Sequence, residues 1–194
     1  MVLSSFILGE TMQEKNKIEL KELRPDLAGN DLFEMFQEIP KLDEFQEENN
    51  LNGVSKKLFP LCLEYMYRRE YGFELSKTQI PTINFILYIN NFPVGVAGLR
   101  PKLNDFYKKH GGHIWYKIRP SERKKGYGTK ILELVLERAK WLGISEILMQ
   151  CNVENIGSIK VMENNNLKQY KKDNKSISFK KHLSIKKITL KEHL

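Results

Sequence analysis

Arg123, Gly126 and Gly128 stand at the spacing Arg-x-x-Gly-x-Gly within Ser121-Glu122-Arg123-Lys124-Lys125-Gly126-Tyr127-Gly128-Thr129. Two glycines one residue apart allow unusual dihedrals and a close approach of backbone to ligand. A helix starting here leaves its first N–H groups without intrahelical acceptors. With the aligned peptide dipoles, those donors suit a pyrophosphate. Arg123, Lys124 and Lys125 add positive charge beside them. The same residues also describe a tight basic turn before a helix, with no ligand. A full GxxxxGK[ST] and a GxGxxG at a first strand are both absent, which sets two nucleotide-binding patterns aside. No His/Cys/Asp cluster argues for a metal site. Cys62 and Cys151 lie in different segments without metal-ligand spacing and read as reduced thiols of a cytoplasmic protein.

A phosphate cradle needs a strand before it and a helix after it. Residues 112–119, GHIWYKIR, supply the strand. Over 128–142, Ile131, Leu132, Val135, Leu136, Ala139 and Leu142 share one side, the pattern of a helix on a sheet, and Gly143 is its natural C′ residue. Upstream, residues 17–24 alternate as a first strand, and Asn30 or Asp31 caps a helix to about Glu38, ended by Pro40. Residues 41–53 are acidic, Asn-rich and loop-like. Ser55 opens a second helix with Leu58, Cys62, Tyr65 and Met66 on one face, stopped by Gly72. Residues 83–89 and 93–100 form a hairpin around Asn90-Asn91, and 101–111 form a polar connection. Residues 146–151 are a strand too apolar to be half exposed, and Asn155 to Glu163 a helix. The tail is a hairpin turning at Asp173-Asn174. The order β-α-α-β-β-β-α-β-α-β-β describes one α+β (mixed α/β) domain over 17–194, preceded by an N-terminal extension, 1–16.

The formal charge of +8 is unevenly spread: residues 1–60 carry −5, residues 61–167 carry +6 and residues 168–194 carry +7. A basic tail fits nucleic acid, a membrane surface or a pair of solvated strands. It has no arginine, and Tyr170 and Phe179 are its only aromatics, which argues against nucleic acid. No window of 18 uncharged apolar residues exists, so no membrane span is expected, and the N-terminus lacks the pattern of a signal peptide.

The turn matches the [Gln/Arg]-x-x-Gly-x-[Gly/Ala] signature of the GCN5-related N-acetyltransferases. The stretch Gly112-His113-Ile114-Trp115-Tyr116-Lys117-Ile118-Arg119-Pro120-Ser121-Glu122-Arg123 resembles the GHIGYxIRPSxR run of a bacterial branch of that superfamily. Cys151, Asn155, Ser158 and Val161 resemble its C-x-x-x-N-x-x-S-x-x-V segment. Phe59-Pro60 and Val94-Gly95 to Leu99-Arg100 sit where the branch carries FP and xxGxxxLR. The resemblance covers most of residues 17–167. It implies a mostly antiparallel central sheet with one splayed parallel strand pair, 112–119 and 146–151, flanked by helices.

The activity implied is direct transfer of an acetyl group from acetyl-CoA to an amine in a ternary complex. The pantetheine arm would lie between the splayed strands. Backbone N–H groups from Lys124 to Thr129, through Lys125, Gly126, Tyr127 and Gly128, would hold the pyrophosphate, with Ile118, Arg119 and Arg123 beside them. Asn155 would contact the arm, cap its own helix, or both; Ser158 lies one turn on, as contact or as packing. The Tyr that often serves as acid in the family is Met162 here, and Asn166-Leu167 replaces the usual Gly-Phe. Water or another Tyr would then protonate the thiolate, and Tyr170 is the nearest candidate on the next strand. His113 and Tyr116 are candidates for the base, each with a structural alternative. Cys151 as nucleophile is disfavoured.

The family places the acceptor against residues 25–80 and 101–111. The first of these is rich in Asp and Glu, which suggests an amine or polyamine-like acceptor, with a protein N-terminus or lysine left open; the expected partner is a small-molecule amine or peptide amine, and the expected state a monomer or homodimer. A competing reading keeps the fold as an acyl-CoA-binding module with weakened catalysis.

Overall fold

The computed structural model describes residues 16–40 and 51–185. All but the last residue of the expected extension, most of the acidic loop with Asp43, Glu44, Glu47 and Glu48, and the last residues of the tail lie outside this range.

The strands are β1 (Ile18–Glu22), β2 (Ile83–Ile89), β3 (Phe92–Leu99), β4 (Ile114–Ile118), β5 (Glu146–Asn152), β6 (Lys168–Lys172) and β7 (Ser176–His182). The α-helices are α1 (Asn30–Glu38), α2 (Phe59–Arg69), α3 (Asp105–Lys109), α4 (Tyr127–Trp141) and α5 (Ile156–Asn164). Antiparallel strands form one sheet in the order β1-β2-β3-β4 and a second in the order β5-β7-β6. The expected α+β class is the observed one.

The run INFILYI of β2 is apolar throughout because both its faces are covered. Phe85, Leu87 and Ile89 join a core under α4, while Ile86 and Tyr88 join a second core under α1 and α2. At the β2–β3 turn, Asn90 and Asn91 take φ of 50° and 65°, the left-handed pair a two-residue hairpin needs.

Some local expectations change. Gly29, not Asn30 or Asp31, is the N-cap of α1. The buried stripe of α2 is Phe59, Leu63 and Met66, while Leu58 and Tyr65 are exposed. Two apolar stripes lie one residue apart on this helix. The one with the fuller row of long side chains wins the core, and Tyr65 instead sits against Arg69, 5.5 Å from ring to guanidinium. The connection 101–111 contains α3, capped by the Asn104 side chain, which accepts from the Tyr107 N–H at 3.0 Å. The lysine-rich β6 is a fully solvated edge strand, where such charges discourage pairing with another chain.

β4 and β5 share no ladder. They meet at one isolated bridge, Gly112 with Met149, whose hydrogen-bond pattern is antiparallel in type and forms where Gly112 turns at φ 76°. The His113 N–H donates to the Leu148 carbonyl at 2.7 Å. Further along, the Tyr116 hydroxyl and the Cys151 thiol lie within electrostatic reach of each other. The two strands therefore touch at one end and share no ladder beyond it, which leaves a gap between the sheets; the ladders among the described residues are all antiparallel, and the parallel pairing expected of this pair is not among them.

Candidate active site

β4 leads into a short turn over Pro120–Glu122, and the Arg123 Nε donates back to the Ile118 carbonyl at 3.2 Å. Lys124 has φ 63° and Gly126 has φ 84°, so two left-handed residues bend the chain into α4. Lys130 N–H donates to the Gly126 carbonyl as the first bond of the helix. The N–H groups of Tyr127, Gly128 and Thr129 come before that bond. No side chain caps this end, and no acid stands in its first turn. Three aligned donors at the positive end of a 15-residue helix are suited to an anion.

The two glycines act differently. A Cβ on Gly126 would meet nothing within 4 Å, so the glycine is required by its dihedrals. A Cβ on Gly128 would come within 3.1 Å of Val161 Cγ2, so that glycine lets α5 pack closely on α4. Asn165 reinforces this contact, its amide donating to the Thr129 carbonyl at 3.1 Å and the Val161 carbonyl at 2.9 Å.

β4 hydrogen-bonds to β3 through its odd residues: Arg100 N–H donates to the His113 carbonyl at 2.8 Å, and Arg119 N–H to the Val94 carbonyl at 2.9 Å. By alternation the peptide groups of Ile114, Tyr116 and Ile118 turn toward β5. Beyond the Gly112–Met149 bridge no described strand pairs with them there. Of these groups the Ile118 carbonyl is held by Arg123. A line of open peptide groups thus runs along β4 toward the uncapped start of α4. An amide-bearing arm ending in a pyrophosphate fits that line at both ends.

Tyr116 lies beside this line. A Cβ on Gly128 would be 3.8 Å from its ring, so the phenol sits against the start of α4. Burial pushes its pKa up to about 12, outweighing the opposing influence of Ser158. Its buried hydroxyl makes no hydrogen bond of ordinary geometry. It holds its proton throughout the physiological range, which suits a hydrogen-bond donor better than the base considered from sequence.

His113 is also no base. Its Nδ1 accepts from the Leu148 N–H at 3.0 Å. The neutral ring then carries its proton on Nε2 and has no free lone pair. Burial lowers its pKa, which keeps it in that neutral form. It clasps β4 to β5. Tyr170 sits on β6, at a break in register between Gln169 and Lys171, with β7 lying between it and β5. Its ring is exposed and lies under Lys180, 5.6 Å away. The structure does not bring it to Tyr116, because the second sheet runs β5-β7-β6.

Asn155 caps α5, accepting from the Ser158 N–H at 3.0 Å. Burial pushes the Cys151 thiol up to about 11, far from a ready thiolate. Met162 is buried in the core under α4. Asn166 takes φ 59° and Leu167 is buried, so they do the backbone and packing work of the Gly-Phe they replace. Lys125 pairs with Glu122 at 2.9 Å, which leaves Lys124 as the lysine of the turn without a paired acid among the described residues.

Arg119 points away from the turn. Its Nε donates to Glu38 of α1, and its guanidinium lies 4.8 Å from the Phe92 ring. Its side chain is therefore directed to α1 and not to the N–H groups at the start of α4. Glu38 also accepts from the Ser121 N–H at 2.6 Å. Partial burial pushes Glu38 up, but hydrogen bonds from Arg119 and Ser121 outweigh it and hold the carboxyl below its ordinary range. Sequence reasoning missed Glu38 as a site residue, since its partners are 81 and 83 residues away. It also missed Lys117 and Asn165. An alternation of charged Lys117 with apolar neighbours was the one available signal for the former.

Among the described residues no helix is long and apolar enough to cross a membrane, and no group of three or more His, Cys, Asp and Glu side chains could hold a metal ion. No curated protein matches the chain. Among solved structures it is similar to RimL, a ribosomal L7/L12 alpha-N-protein acetyltransferase in complex with coenzyme A: 14% identity, 86% of this chain, 94% of that chain, TM-score 0.61. It is similar to an acetyltransferase from Salmonella typhimurium that modifies the N-terminal serine of L7/L12: 13% identity, 86% and 95% covered, TM-score 0.56. It is also similar to the N-acetyltransferase PseH of Campylobacter jejuni in complex with acetyl coenzyme A: 14% identity, 87% and 100% covered, TM-score 0.52. At these identities the likeness is one of fold. The Acetyltransferase (GNAT) family profile matches residues 43–166, a span that holds β4, the open gap, the Arg-x-x-Gly-x-Gly turn and α5, and the chain belongs to that family.

Proposed function

We propose that this acetyltransferase moves an acetyl group from acetyl-CoA to a primary amine by direct attack within a ternary complex. The observation that carries the reading is the open peptide edge of β4 running into the uncapped N-terminus of α4. Acetyl-CoA supplies an activated thioester carbonyl. The N–H groups of Tyr127, Gly128 and Thr129 bind the pyrophosphate, with Lys124 beside them and Arg123, Lys125 and Gly126 shaping the turn. Ile114, Tyr116 and Ile118 offer their peptide groups to the arm. Asn155 and Ser158 border it from α5. Arg119 supports the site only by holding the turn to α1.

The amine must arrive with its lone pair free. Its nitrogen bonds to the carbonyl carbon as the carbon–sulfur bond breaks, and its extra proton leaves to water. The Tyr116 hydroxyl donates a hydrogen bond to the departing sulfur. Full proton transfer from a phenol near 12 to a thiolate with an ordinary conjugate acid runs uphill by about 3.5 pKa units, so the final proton comes from solvent. Solvent access through the exposed turn takes the place of the acid that Met162 cannot be.

Two of the structural neighbours are named for acting on the N-terminal amine of a ribosomal protein, which supports a peptide amine as one acceptor class. The two free thiols, Cys62 and Cys151, support a cytoplasmic setting. The buried Met162 favours one alternative, a cofactor-binding module with weakened catalysis. Calorimetry with acetyl-CoA, NAD and ATP tests the cofactor: heat with acetyl-CoA alone is expected, and heat only with NAD or ATP refutes the reading. CoA release with a panel of amines separates enzyme from module.

A further inference from the structure

β4 presents its two faces to different surroundings. Ile114, Tyr116 and Ile118 belong to the core under α4. Trp115 packs against the core under α1 and α2, and Lys117 stands opposite Val96 of that same core. Arg119 reaches Glu38 of α1. The odd residues therefore face the α1–α2 layer.

Among the described residues each of the three carries a buried donor with no partner: Trp115 Nε1, Lys117 Nζ and one Arg119 terminal nitrogen. Lys117 is 7% exposed as a whole residue. Along a strand, alternate residues repeat at roughly 6.6 Å, so the three side chains leave β4 as a spaced row. Among the described residues no acid pairs with Lys117 or Trp115. Glu38 is occupied by Arg119 and Ser121, and Glu34 accepts from Asn30. The one orphaned acceptor in the row is Asn84 Oδ1, two strands away across Gly98. It is neutral and does not offset an ammonium. A buried ammonium without a counter-charge is costly, and so are unpaired donors. Burial accordingly lowers the pKa of Lys117.

We infer that this row binds a carboxylate of the acceptor, with Lys117 Nζ as its counter-ion and Trp115 Nε1 as a second donor. The inference rests on the acetyltransferase reading, since it takes the acceptor to reach the thioester from the α1–α2 face of β4. The opposite face is filled by Ile114, Ile118 and the apolar side of α4. A neutral carbonyl would satisfy a hydrogen bond but not the charge, so the row calls for an anionic oxygen. An amine acceptor with its own carboxylate meets both needs. Two sources share that chemistry: a free amino acid, or a peptide whose first side chain is acidic.

Thermal shifts in saturating CoA, which cannot donate an acetyl group, test this without requiring turnover. The probes are β-alanine against β-alaninamide, and Asp-Ala-Ala-amide against Asn-Ala-Ala-amide. The carboxylate member of at least one pair is expected to bind wild type at least tenfold more tightly than its neutral match. The pair that responds identifies the source. Lys117→Met should erase that preference while melting no lower than wild type without probe, because it removes an unpaired charge. Trp115→Phe should weaken the preference in the same direction and covers the case of a poorly folding methionine variant. Equal shifts by both members of both pairs, or a preference that survives in the variants, overturn the inference. The shift produced by CoA alone is read on the same samples. Its absence counts against the acetyltransferase reading itself, which separates the two failures.

Discussion

The Glu38 carboxylate holds both the Arg119 guanidinium and the Ser121 N–H, so the last residue of α1 is fastened to the two sides of Pro120, where β4 gives way to the Arg-x-x-Gly-x-Gly turn. One acid thereby joins the helix layer on one face of the sheet to the loop that opens the other.

The pH dependence of that joint has a definite sign. Glu38 is held below its ordinary range in the folded chain, so its contribution is present above about pH 4.5 and is lost as pH falls through the lowered folded value. Glu38→Gln should lower the melting temperature at pH 7 and narrow its gap from wild type as the pH approaches 3. Melting curves from pH 3 to 7 check this; a gap that is constant across the range refutes it.

Gly126→Val is expected to harm cofactor binding more than folding. The added Cβ meets open space, so the cost to the free protein is backbone strain at φ 84°, roughly 1–2 kcal/mol. Relief of that strain would swing the N–H groups that face the anion. The acetyl-CoA-induced thermal shift should largely vanish, and a shift of full size would place the anion site elsewhere.

Gly128 and Val161 should behave as a pair. Gly128→Ala presses a methyl to 3.1 Å from Val161 Cγ2 and should cost about 1–3 kcal/mol. Val161→Ala in the same chain should recover a good part of that loss. Urea midpoints of the two single variants and the double variant give the coupling, and simple additivity would contradict the close contact.

Two tyrosine variants separate proximity from chemistry. Tyr116→Phe should reduce kcat/KM by about 10- to 100-fold, or roughly 1.4–2.7 kcal/mol, with little change in acetyl-CoA affinity. Tyr170→Phe should cost less than about tenfold, since β7 separates it from β5. Because Tyr116 titrates near 12, no alkaline fall below pH 10 should come from it. A hundredfold loss for Tyr170→Phe would reverse the assignment.

Elements with one strong periodicity were legible. The α4 stripe ends near Gly143, and Asn90-Asn91 marks a hairpin, because each depends on local dihedrals and a single buried face. The turn was legible for the same reason, down to its left-handed glycine. The α2 face was not, because neighbouring stripes compete and only the partner surface chooses between them. The roles of His113 and Tyr170 depended on strand order, which puts Leu148 against one and β7 in front of the other. Glu38 had no local mark at all, since a surface acid at a helix end looks the same whether or not an arginine 81 residues on will reach it.

The single bridge at Gly112 and Met149 has a consequence for the solvent exchange of β4. An ordinary edge strand offers its free N–H row to the outside, where another chain can add to it. Here the row begins at a closed corner and runs toward the start of α4. The amides of Ile114, Tyr116 and Ile118 should therefore exchange with deuterium faster than those of β3 in the free protein, and slow together when the slot is filled, as though the sheet had gained the rung it lacks.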